Sequence, residues 1–269
     1  MDKQVTNFNT RLRTIRLREF FVWVVVTIII GGVIMAIFPV FEENDDLFFI
    51  LISSLILIFF FWCLKDTTGL SKNFEDLFLE KNRKEILYIF AINICFAFIF
   101  LFLVTVLDFA IGMVDPTWVT GFDFDKIDLT PGAFLLSSIT TLIFAPIMEE
   151  LAFRGILFNR LKIKIGFVPA MIISSLIFAA GHDFGGIISA FLFGICMCIL
   201  YLKTDNILIP ISVHFINNVA ASLLDIVNAD AFLCQFPWII LLGGIVGVST
   251  ILLIKYIIDE TNALKRAYS

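Results

Sequence analysis

Charge is what this sequence has least of. Only 16% of its 269 residues are Asp, Glu, Lys or Arg, and histidine occurs twice. A soluble domain of this length carries about a quarter charged residues. The shortage excludes a water-solvated globule, because a 60% hydrophobic chain has more apolar surface than one core can hide. The net charge of −5 says little about partners, because the charges are segregated by loop, and no strongly basic face points to nucleic acid. Cysteine is sparse and unpaired in pattern: Cys63, Cys95, Cys196, Cys198 and Cys234 are an odd set with no Cys-x-x-Cys. They read as small apolar residues in helices. A catalytic thiol is the alternative, but neither histidine is a sequence neighbour of a cysteine. Internal repeats and low-complexity linkers are absent.

Long apolar runs are what the chain has instead, with 32 phenylalanines suited to a lipid-facing surface. Runs long enough to span a bilayer, or nearly so, fall near 20–41, 47–64, 86–107, 133–153, 167–181, 186–202, 207–226 and 237–258. The expected fold is therefore all-α, a polytopic membrane protein with about eight transmembrane helices. The first run is followed by EENDD and not by a small-residue cleavage site, so a retained helix is expected and not a signal peptide. The chain's last residues, KRAYS, are not a prenylation box.

The connections support the count. Lys3, Arg11, Arg13, Arg16 and Arg18 precede the first run, and Lys65, Lys72, Lys81, Arg83 and Lys84 fill the connection after the second. Arg160, Lys162 and Lys164 follow the fourth, Lys203 the sixth, and Lys255, Lys265 and Arg266 the eighth. The intervening connections are nearly free of basic residues. Alternation of this kind places both termini in the cytoplasm. Three regions are expected: 1–129, with three helices and an external acidic loop; 130–226, the helices that carry the chemistry; and 227–269, a last helix and a cytoplasmic tail. The acidic loop from Asp108 to Gly132 has proline-led turns at Pro116 and Pro131 and is expected to form an external cap or a short amphipathic piece.

An ionisable group at the centre of a membrane helix costs about 2.5–3.5 kcal/mol on insertion scales, so its presence marks function by default. Three segments qualify. In APIMEELAFRG, residues 145–155, Glu149 and Glu150 are adjacent and point about 100° apart on a helix. Arg154 follows Glu150 by four residues, the favourable order for an on-helix ion pair. That assigns Glu150 to Arg154 and leaves Glu149 for chemistry; the bland alternative is one internal salt bridge of all three. In FAAGHDFGG, residues 178–186, His182 lies where the fifth helix ends. Helices five and six look short, about 15 to 17 residues each against the roughly 20 a crossing needs. A tight turn between short helices is expected to lie at depth, with His182 in a buried polar cavity. Asp183 either orients the imidazole or faces water. In PISVHFINNVA, residues 210–220, His214 and Asn218 share a helix face, while Asn217 is offset and suits packing. Here the alternative is polar glue between helices.

Together these groups can hydrolyse an amide. A carboxylate and an imidazole can deprotonate water, and donors aimed at the developing oxyanion supply much of the rate. Glu149 with His182 would activate water, and His214 with Asn218 would form the oxyanion site. A zinc centre is also open, with Glu149, His182 and His214 as three ligands and water as the fourth. No HExxH pattern is present, and Asn is a poor zinc ligand.

The three segments also resemble a known family. EELAFRG at 149–155, FAAGH at 178–182 and HFINN at 214–218 are similar, in order and spacing, to the EExxxR, FxxxH and HxxxN elements of the CPBP family, also called the Abi family. This family includes the type II CAAX prenyl endopeptidases. The likeness covers about residues 130–226. It implies a membrane-embedded endopeptidase in which Glu149 and His182 activate water and His214 and Asn218 stabilise the oxyanion. Both a metalloprotease and a metal-independent glutamate mechanism are attached to the family, so zinc is implied only as one option. The resemblance further implies a substrate that is a membrane-associated, prenylated or bacteriocin-type peptide, and a bacterial cytoplasmic membrane as the location. The competing class is a non-catalytic membrane scaffold, or a bacteriocin self-immunity protein, that modulates a membrane partner. A transporter is a third class, which the discontinuous turn between helices five and six fits weakly and no repeat supports.

Overall fold

The computed structural model describes residues 6–115, 117 and 130–268. Most of the acidic loop, including Pro116, therefore lies outside the described residues. Among the described residues twelve helices are found: α1 (Phe8–Thr14), α2 (Leu17–Ile37), α3 (Asp45–Leu64), α4 (Leu70–Asp76), α5 (Glu80–Ala97), α6 (Ile99–Val114), α7 (Pro131–Ile165), α8 (Phe167–Ala179), α9 (Ile187–Thr204), α10 (Leu208–Ile226), α11 (Ala229–Leu233) and α12 (Trp238–Tyr268). Among the described residues there is no strand, only an isolated Asn7–Thr68 bridge.

Seven helical spans are long and apolar enough to cross a membrane, α5 and α6 counting as one from Glu80 to Val114, and α8 is an eighth, shorter apolar helix. This is an integral membrane protein. Lipid exposure is visible in single residues: Phe21, Ile28, Ile29 and Phe61 are largely uncovered by protein. The helix starts obey local chemistry. Asn44 caps α3, its side chain accepting from the Leu47 N–H at 3.0 Å, with Asp45 and Asp46 in the first turn. Pro131 occupies the first turn of α7, where its missing N–H does no harm.

Of the two helices expected to be short, only one is. Helix α8 has 13 residues, a rise of roughly 20 Å against the ~30 Å hydrocarbon core. Helix α9 has 18 residues and, with the helical turn Phe184–Gly186 before it, forms a span of 21 residues from Phe184 to Thr204. Hydropathy underestimates it because its last turn is polar: Lys203 pairs with Glu85 of α5 and lies 3.1 Å from Glu260 of α12.

Helix α9 is the hub. Every residue from Phe193 to Tyr201 is buried, so the helix is enclosed all round. It packs most extensively on α8 and also touches α5, α7, α10 and α12. Lipid tails are as apolar as leucine, so close packing and polar contacts hold membrane helices together. Small residues permit that approach. A Cβ at Gly194 would stand 2.9 Å from Ser175 Cβ and 3.2 Å from Ser175 Cα on α8. Ser174 Oγ lies 3.6 Å from Cys198 Sγ. All five cysteines are free thiols.

Sequence windows tuned to spans pass over α1 and α4. Asn9 and Asn73 exchange amide hydrogen bonds between them at 3.1 and 2.8 Å, and Asn206 Nδ2 donates to the Asn73 carbonyl at 2.7 Å. Leu12 of α1 is fully buried against Gly155 of α7, where a Cβ would stand 2.9 Å from Leu12 Cδ1. The N-terminal helix is thereby fixed beneath the stretch of α7 that carries the paired glutamates.

Candidate active site

Helix α7 is regular at neither end of its glutamate pair. Thr140–Phe144 and Leu151–Phe158 are π-helical, flanking the α-helical turn Ala145–Glu150. Pro146 accounts for the first. Its ring has no N–H and would strike the carbonyl four residues back, and a wider turn relieves that clash. The Ala145 N–H bonds the Thr140 carbonyl, the five-residue step of a π turn. The next such step would run from residue 146 to Thr141, and proline has no hydrogen to give. Asn218 of α10 fills this gap, its Nδ2 donating to the Thr141 carbonyl at 2.8 Å. In the second π segment Asn159 does similar service, donating to the carbonyls of Arg154 at 3.1 Å and Gly155 at 2.9 Å.

The paired carboxylates have different surroundings. Glu150 is fully buried, and Arg154 Nη1 lies 3.0 Å from its Oε1 with the arginine itself 1% exposed. The same Oε1 is 2.9 Å from His214 Nδ1. A carboxylate paired with a guanidinium only accepts, so His214 Nδ1 carries the hydrogen. Glu150 therefore holds His214 as well as Arg154, a contact that an on-helix spacing rule cannot show. The other edge of the ring points the opposite way: His214 Nε2 is 3.9 Å from Glu149 Oε2, whose side chain keeps 21% exposure.

His182 follows α8 by three residues, and its Nδ1 lies 3.0 Å from the Phe178 carbonyl. A carbonyl only accepts, so this nitrogen is the protonated one and Nε2 keeps its lone pair. Asp183, expected either to orient the ring or to face water, is not what holds it. Burial of His182 was expected, and here the structure differs: the residue is exposed at the rim of a cavity of about 150 Å³. The turn after α8 is too tight to cover it from above. The cavity is lined by His182, His214, Asn217, Asn218, Asn93 and Phe178, among others. Two of these were not legible as site residues. Asn217 was assigned to packing. Asn93 of α5 is buried in a helix without a motif, where a lone asparagine in an apolar run was the only available signal.

Phe178 sits among all the charged and ring groups. Its ring centroid is 4.7 Å from that of His182 and 6.0 Å from that of His214, and the Arg154 guanidinium carbon lies 4.3 Å above it. Phe193 closes the far side of His214 at 5.1 Å. Both imidazoles are thus held by one polar contact and at least one aromatic face.

The zinc set of Glu149, His182 and His214 does not fit this arrangement. Among the described residues no three His, Cys, Asp or Glu side chains gather as a metal-holding group, although the Nδ1 contacts of both histidines would leave each Nε2 open to a ligand.

Comparison with known proteins falls on the same helices. Residues 131–220 match the family model described as type II CAAX prenyl endopeptidase Rce1-like. The likeness to that family covers about a third of the chain. YdiL of Bacillus subtilis (strain 168), whose name describes a membrane peptidase, is 36% identical over 95 residues, 35% of this chain and 37% of its own length. The membrane-embedded CAAX protease MroQ of Staphylococcus aureus (strain USA300) is 34% identical over 96 residues, 33% of this chain and 39% of its own. The chain thus matches little more than a third of the length of these curated relatives. No solved structure shows significant similarity to it. The matched segment begins with α7 and ends within α10, and therefore contains Glu149, Glu150, Arg154, His182, His214 and Asn218.

Proposed function

We propose that this chain is an intramembrane endopeptidase that hydrolyses a peptide bond in a membrane-associated substrate by a metal-independent glutamate mechanism. One observation carries the reading. His182, His214 and Asn218 come from two separate segments to line one small cavity, and Glu149 stands beside His214. The names of the relatives, a membrane peptidase and a CAAX protease, support the reaction class.

In this reading water sits between Glu149 and His182. Glu149 takes a proton while the water oxygen attacks the scissile carbonyl carbon, and His182 Nε2 accepts the hydrogen bond that orients the water. The carbonyl oxygen becomes an oxyanion. Asn218 gives one amide hydrogen to Thr141 and has a second to aim at that oxygen. His214 is the other donor. Glu149, Glu150 and Arg154 together carry one negative charge, which a cationic His214 lying between the carboxylates neutralises. With Nδ1 given to Glu150, the cationic ring still donates through Nε2. Collapse of the intermediate breaks the C–N bond, and Glu149 returns its proton to the leaving amine.

A helix of 13 residues ending just before His182 supports a reaction centre within the membrane thickness. The substrate class is a peptide held at or in the bilayer, of the prenylated or bacteriocin type. The test uses purified protein in lipid nanodiscs and fluorogenic membrane peptides, prenylated and unprenylated. Cleavage that persists in strong chelator and is lost in Glu149→Gln is the expected result. Cleavage that chelator abolishes and zinc restores would refute the metal-independent mechanism. Undiminished cleavage by Glu149→Gln would remove the glutamate from its role.

A further inference from the structure

Far from the cavity, at the opposite end of α7, a second concave site is built from cations. Arg16, Leu17 and Arg18 at the start of α2 face Arg160, Leu161 and Lys164 at the end of α7 across a cavity of about 470 Å³. Four basic side chains and two leucines make up the whole lining. Arg160 is half-buried and anchored, its Nε donating to the Ile15 carbonyl at 2.6 Å. Arg16 has a partial partner in Glu19, 3.5 Å away. Arg18 and Lys164 have no ion-pair partner among the described residues. Four like charges crowded together repel one another unless an anion joins them.

The position says which anion. The α2 span begins at Leu17 and the α7 span ends at Ile165, so the pocket lies at the ends of two helices that are long and apolar enough to cross a membrane. On the other side of Arg18 a second cavity of about 570 Å³ opens between α2 and α3. It is lined by Arg11, Arg18 and Glu19 and by the apolar Val22, Trp23, Phe59, Trp62 and Cys63. Val22 and Trp62 are largely exposed, and Lys65 Nζ stands 3.7 Å over the Trp62 ring, as interfacial tryptophan–lysine pairs do. A cationic pocket shares Arg18 with an apolar groove that runs toward the membrane interior. A free phosphate would use only the first of these; an anionic phospholipid would use both.

We propose that Arg16, Arg18, Arg160 and Lys164 form a binding site for the phosphate headgroup of an anionic phospholipid, whose acyl chain lies along the Val22–Trp62 groove. The site is separate from the proposed catalytic groups and stands whether or not the chain is a peptidase.

The test is native mass spectrometry of the full chain, released from micelles doped with either phosphatidylglycerol or phosphatidylcholine. Wild type is expected to retain phosphatidylglycerol at least fivefold over phosphatidylcholine. The triple variant Arg16→Gln, Arg18→Gln, Lys164→Gln is expected to lose this preference. The charge-matched variant Lys72→Gln, Lys81→Gln, Lys255→Gln is expected to keep it. Equal loss in both variants, or no preference in wild type, overturns the site. Displacement of the lipid by millimolar inorganic phosphate overturns the lipid in favour of a free anion. A second measurement needs no variant: a diazirine-bearing phosphatidylglycerol should label peptides within 15–24 and 159–165. Labelling confined to other segments overturns the proposal.

Discussion

Glu149 and Glu150 are neighbours in sequence, and the structure gives them different surroundings. Glu150 is enclosed between a guanidinium and an imidazole, while Glu149 keeps partial exposure. Their substitutions should therefore fail in different ways. Glu150→Ala leaves Arg154 buried without its counter-charge, a loss of about 3–5 kcal/mol, and is expected to lower the thermal unfolding midpoint in detergent markedly. Glu149→Gln removes no buried pair and should unfold within a degree or two of wild type, yet cleave at least ~100-fold more slowly. Much of this was legible. Glu150 and Arg154 are four apart on one helix, so their pairing is a property of α-helical geometry alone. The hydrogen bond from His214 to Glu150 was not legible, because it depends on how α7 and α10 cross. Nor was the carbonyl of Phe178 as the group that orients His182, since sequence offers Asp183 as the nearer acceptor.

Two stretches of α7, on either side of the paired glutamates, depart from regular helical geometry. The π turn before Pro146 leaves the Thr141 carbonyl to Asn218. Asn218→Ala should accordingly cost about 1–3 kcal/mol of stability, from an unpaired buried acceptor, as well as activity. Unfolding and cleavage measured on the same preparation separate this from a purely catalytic role, for which stability would not move. The α8–α9 contact is tested at Gly194. Gly194→Ala forces backbone apart at Ser175 and should cost about 1–3 kcal/mol, and Ser175→Gly in the same chain should recover part of it. A midpoint unchanged by Gly194→Ala would mean that the helices do not meet as closely as described. Hydropathy located these elements but not their irregularities. Pro146 within an apolar run was the one visible sign, and proline alone does not say whether a helix kinks or widens. Helices α1 and α4 went unseen because they are too short and polar to register as spans, although buried asparagines join them.

At the scale of the molecule, the count of eight apolar helices was available from runs of hydrophobic residues and from the alternation of basic connections. What hydropathy could not supply was which helix lies at the centre. Helix α9 looks like any other span in sequence, and only packing shows it enclosed on every side. The alternation of charge makes its own prediction. Reporter fusions after residue 268 and at the N-terminus should both report the cytoplasm, and a fusion in the 42–46 connection should report the outside. An outside signal from either terminus would break the eight-crossing topology. The central claim is that Glu149 makes this membrane protein a peptidase. It is tested most directly by sequencing the new peptide ends in membranes of cells that express wild type or Glu149→Gln at equal levels. The expected result is at least one membrane peptide cut with wild type and intact with the variant. Identical sets of peptide ends in the two would contradict the account.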